Sequence, residues 1–62
     1  MADKGQGEIL FEFVVQGKVV KATAIDPSSG REASIVGPAT AGRDALAQAA
    51  ARKLKYVMDR KS

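Results

Sequence analysis

Apolar positions in this chain are spaced for strands over its first half and for a helix over its second. Residues 8–16 and 18–26 are rich in β-branched and aromatic side chains and meet at Gln16-Gly17. There glycine supplies the positive φ of a tight hairpin turn. Setting Val15 against Lys18 puts Phe13 opposite Val20, Phe11 opposite Ala22 and Ile9 opposite Ala24. Ile9, Phe11, Phe13, Val15, Val20, Ala22 and Ala24 then share one face. On the other face Glu12 meets Lys21 and Val14 meets Val19. Opposite charges across strands are worth roughly 0.2–1 kcal/mol, and a slip of one residue mixes the two faces. This register is therefore the expected one. Rings opposite alanines leave a groove, and a groove on a sheet suits a helix.

Asp26-Pro27-Ser28-Ser29-Gly30-Arg31 is a dense turn signal. Aspartate accepts backbone hydrogen bonds, proline presets φ, and glycine takes a left-handed position. Residues 32–37 read as a third, shorter strand. Pairing Ile25 with Glu32 sets Ala24 against Ala33 and Ala22 against Ile35, which extends the same face. Gly37-Pro38 is expected to stop the sheet, because proline donates nothing to a ladder. Thr40 is the expected N-cap of a helix over 41–59. Within it Leu46, Ala49, Ala50, Leu54, Val57 and Met58 share one broad face, opposite Gln48, Arg52, Lys55 and Asp59. The expected core is Phe11, Phe13, Ile35, Leu46, Leu54 and Val57.

The fold class is α+β: a three-stranded antiparallel β-meander followed by one C-terminal α-helix packed on one sheet face. Residues 1–7, with two glycines and no apolar pattern, are expected to be a disordered lead-in to a single domain over 8–60; residues 61–62 form a tail. The runs Asp26-Pro27-Ser28-Ser29-Gly30-Arg31-Glu32, Ile35-Val36-Gly37-Pro38 and Arg52-Lys53-Leu54-Lys55-Tyr56-Val57 resemble a family of short bacterial proteins of unknown function. The resemblance covers nearly the whole chain from Glu8 onward. Its motifs are turn and packing residues, so it implies the fold and no activity.

Composition narrows the function by subtraction. The chain has 62 residues with no cysteine and no histidine, so there is no disulfide, thiolate metal site or redox pair. Its apolar runs fall far short of the ~20 residues that span a bilayer, and no secretory signal is visible. A cytoplasmic location follows as the expectation. General acid–base work wants histidine or paired carboxylates, whereas Asp3, Glu8, Glu12, Asp26, Glu32, Asp44 and Asp59 are scattered. Ser28, Ser29 and Ser34 have no base to activate them. Asp26, Ser28 and Glu32 lack the ligand count and spacing of a calcium loop. No phosphate-binding glycine pattern precedes the helix. The expectation is no enzyme, no metal, no cofactor and no small-molecule substrate.

Ten Lys plus Arg against seven Asp plus Glu give a net charge of +3. The excess gathers late, at Arg52, Lys53, Lys55, Arg60 and Lys61. Cations near a helix C-terminus complement its dipole and solvate an exposed face. The sharper alternative is weak nucleic-acid binding by Arg43, Arg52, Lys53, Lys55 and Arg60. The element order is similar to the C-terminal part of a double-stranded-RNA-binding domain, where basic residues at the start of the last helix grip phosphates. Gly42-Arg43-Asp44-Ala45 and Ala49-Ala50-Ala51 resemble that helix. Here, though, Asp44 stands in a cation's place, no lysine lies in the first turn and no first helix precedes the sheet.

The leading expectation is a small interaction module that works as a homodimer. A domain of this size without disulfide or metal often needs a partner. The face away from the helix carries Leu10, Val14, Val19, Ile25 and Val36, and the first strand is an edge with Ile9, Leu10, Phe11 and Phe13 along it. Two routes are open: antiparallel pairing of that edge with its copy, centred at Phe11 or Phe13, or exchange of helices through a Gly37-Pro38-Ala39 hinge.

Overall fold

A computed structural model describes residues 8–59; the expected lead-in over 1–7 and tail over 61–62, with Arg60, lie outside the described residues. Three strands, β1 (Leu10–Gln16), β2 (Val19–Asp26) and β3 (Arg31–Pro38), form an antiparallel sheet in chain order. A 3-10 turn (Ala39–Ala41) leads into α1 (Arg43–Asp59), which packs on one face of the sheet.

The β1–β2 register is shifted by two residues from the expected one. Val15 pairs with Val20, Phe13 with Ala22 and Phe11 with Ala24; Glu12 faces Thr23, and Lys21 faces Val14. Turn geometry decides it. The two turn residues are Gly17 and Lys18, and Gly17 has φ +62°. Glycine with positive φ at the first of two turn positions is what a type II′ hairpin requires. A shift of two keeps every side chain on its expected face. Glu12 and Lys21 are left as diagonal neighbours, at a separation where cross-strand attraction is weaker.

The β2–β3 register is as expected, with Ile25 opposite Glu32, Ala24 opposite Ala33 and Ala22 opposite Ile35. Asp26 organises the intervening loop. Its Oδ1 accepts from Ser28 N at 3.1 Å and Ser28 Oγ at 2.9 Å, and its Oδ2 accepts from Ser29 Oγ at 3.1 Å. Its carbonyl accepts from Gly30 N at 2.8 Å, with Gly30 at φ +79°. Bonds from the Ser28 hydroxyl above all hold the Asp26 carboxyl below its ordinary value, against the opposing effect of burial.

The sheet ends at Pro38, as expected, and the proline itself fits within the ladder. Ala39 N donates to Lys18 O at 2.8 Å, so Lys18 turns its carbonyl toward β3 and the next residue, Val19, turns toward β1. Pro38, opposite Val19, therefore directs its missing N–H at the outer edge and costs the ladder nothing. Thr40, the expected N-cap, does not cap α1. It lies in the 3-10 turn, and Gly42, at φ +89°, separates that turn from the helix. Leu46 N donates to Gly42 O at 3.2 Å, which places Gly42 at the N-cap. Seventeen residues make α1 about 26 Å long, the length of an eight-residue strand.

The core differs from expectation in where the helix sits. α1 lies over β2 and β3, with β1 beside its footprint. The buried apolar side chains, among the described residues, are Val20, Ala22, Ala24, Ala33, Leu46, Ala50 and Leu54. Alanines at 22, 24 and 33 and the bare backbone of Gly37 let the helix come close; Phe11 and Phe13, on β1, would stand too tall beneath it. An ideal Cβ on Gly37 would lie 2.6 Å from Leu46 Cδ2. Phe13 and Ile35 are half-buried as flanking contacts. Phe11 and Val57, expected inside, are exposed at 40% and 37%.

Candidate interaction surface

Backbone direction along β1 follows from the same phase. In an antiparallel ladder residues alternate between those that exchange hydrogen bonds with the partner and those that point away. Val19 turns toward β1, so Gln16, Val14, Glu12 and Leu10 bond β2, while Phe11, Phe13 and Val15 turn their N–H and C=O groups to the open edge. The same count makes Ser34 on β3 an outward residue, and Lys53 Nζ indeed donates to Ser34 O at 2.9 Å. The two edges are thus unequal. β3 carries a lysine across its backbone and a proline at its end, two devices that blunt an edge strand.

β1 exposes apolar side chains on both of its faces. On the helix side Phe11 is flanked by Val15, which is 61% exposed, and both lie beyond the edge of α1. Phe13, between them, is half-buried, and the Arg43 guanidinium sits 5.3 Å above its ring, a cation–π contact that also shields the ring. On the far side Leu10 is 47% and Val14 43% exposed. Val19 and Val36 continue that surface across the sheet, and Ile25 is half-buried within it. The expected interface residues Leu10, Phe11, Phe13 and Val14 are thus gathered on one strand. Val19 and Val36 are exposed on the far face but stand away from the edge. Ile9 is half-buried at the start of β1 and lines a cleft of about 330 Å³ with Ala51, Leu54, Lys55, Met58 and Asp59.

The basic side chains do not converge. Arg43 covers Phe13, Lys53 turns to β3, and Arg52 and Lys55 lie on the solvent side of α1. At 100° per residue these four are spread around the helix rather than aligned on one stripe. Tyr56 is 61% exposed. Among the described residues no three His, Cys, Asp or Glu side chains come together as a metal site would need. No described helix is long and apolar enough to cross a membrane.

Sequence reasoning set the short third strand, blunted by Pro38, apart from the first but missed the second guard on its edge. Lys53 was legible as a cation, but its reach to Ser34 depends on where the helix settles, and no local pattern encodes that.

The chain belongs to a family described as a domain of unknown function, DUF6898, whose model matches residues 6–61. No curated protein and no solved structure matches it.

Proposed function

We propose that this chain is a small interaction module that self-associates through β1 and carries no catalytic chemistry of its own. The observation behind this reading is the exposed, two-sided apolar strand at a sheet edge whose one guard, among the described residues, is Glu12. Such an edge offers unpaired backbone groups as well as apolar area, and a solvated monomer rarely leaves both open together. The other features agree. The best-bonded carboxylate, Asp26, is occupied with its own turn, and the cleft beside Ile9 is apolar apart from Lys55 and Asp59 at its rim. Sedimentation equilibrium at micromolar concentration tests the reading, with a species of twice the chain mass expected. A folded species of monomer mass overturns it. Binding of RNA or DNA that weakens steeply with salt moves the assignment to the basic residues of α1.

A further inference from the structure

We infer that the partner of β1 is a second β1, paired antiparallel about a two-fold axis at Phe13. The three strands of each copy then form one continuous sheet. This inference rests on the self-association proposed above and adds the identity of the mating edge and its register.

The choice of edge comes from the guards. A β1–β3 contact between copies would repeat head to tail and give an open filament, but Lys53 and Pro38 blunt β3. A β1–β1 contact uses the open edge twice and closes the assembly.

The choice of axis comes from the backbone phase and the side chains. Because Phe11, Phe13 and Val15 point their backbone groups outward, an axis at Phe13 pairs Phe13 with its copy and Phe11 with Val15. It engages all seven residues of β1 and forms about six backbone hydrogen bonds. An axis at Phe11 leaves the hairpin end of the strand unpaired. An axis at Glu12 sets two carboxylates across a close, non-hydrogen-bonded pair, where like charges repel. An axis at Val14 leaves Leu10 and Phe11 without a mate.

At Phe13, Glu12 falls beside Val14 of the other copy, whose own neighbour on β2 is Lys21. Glutamate and lysine then flank one valine on the same face. The axis stands perpendicular to the sheet, so both helices lie on one side of it. The apolar strip of Phe11, Phe13 and Val15 is doubled between them, and apolar side chains meet apolar ones.

The absence of cysteine makes disulfide trapping a direct test. Glu12 and Val14 have exposed side chains away from the core, so Glu12→Cys and Val14→Cys should each fold, as circular dichroism would verify. With the axis at Phe13 the two positions face each other across the interface at a Cα separation of about 4.5 Å, within disulfide range. Under mild oxidation, the mixture of the two variants should cross-link at least tenfold faster than either alone. Rapid self-linking of Glu12→Cys places the axis at Glu12, and self-linking of Val14→Cys places it at Val14; either result overturns this register. A dimer by sedimentation with no cross-link in any sample overturns this register and leaves self-association standing. A folded monomer removes both.

Discussion

Gly37 has no side chain where Leu46 takes the space one would need. Leu46 is buried, so its branch does not swing clear of an added methyl without disturbing the packing around Ala50 and Leu54. Gly37→Ala sets two effects against each other. Restricting the unfolded chain gains about 0.4–1 kcal/mol, while overpacking costs roughly 1–3 kcal/mol. Net destabilisation is expected in urea unfolding. Combining it with Leu46→Ala should cost less than the sum of the two single changes, because the clash disappears with the branch. Asp26 works through charge instead. Its folded-state pKa lies below its ordinary value, so its contribution is complete above the unfolded pKa of about 4 and is lost as pH falls through the lower folded value. Unfolding midpoints of the parent should drop below pH 4, and Asp26→Asn should flatten that part of the profile.

At the scale of elements, the meander and the face of every strand residue were legible in the sequence. Strand faces follow from a period of two, and small residues mark where another element can approach. The β1–β2 register was not legible. A shift of two preserves the faces, so only the turn and one charge pair distinguished the candidates, and the turn prevailed. The exposure of Phe11 and Val57 was hidden for a related reason: patterning says which side of a sheet is apolar but not which pair of strands the helix covers. Mutational costs should follow the observed packing. Leu54→Ala removes a side chain 2% exposed and should cost roughly 2–5 kcal/mol. Phe11→Ala, from a ring already 40% exposed, should cost clearly less in dilute solution, where assembly adds nothing. A larger loss at Phe11 than at Leu54, measured by urea unfolding at the same dilution, would mean that the helix covers β1 after all.

For the molecule as a whole, the core is small. Among the described residues seven apolar side chains are buried, four of them alanines, and a domain near this size buries only about 60% of the surface its unfolded chain exposes. With the proposed self-association, a thin core beside an apolar edge would make stability and assembly one equilibrium. If two folded chains dissociate as they unfold, each tenfold rise in concentration stabilises the dimer by about 1.4 kcal/mol, or roughly 0.7 kcal/mol per chain. Domains of this size move by 4–8 °C for about 1 kcal/mol. The melting temperature should therefore climb about 3–6 °C per tenfold increase, followed by circular dichroism from 1 to about 100 μM. Val15→Lys provides the control. Val15 is 61% exposed and lies beside the helix footprint, so a lysine there leaves the monomer fold intact while setting a charge against Phe11 of the opposing strand. This variant should melt at one temperature across the whole range, close to that of the dilute parent. A parent with a concentration-independent melt would separate the stability of this small core from its open edge, and the fold would have to stand on Val20, its two leucines and its alanines alone.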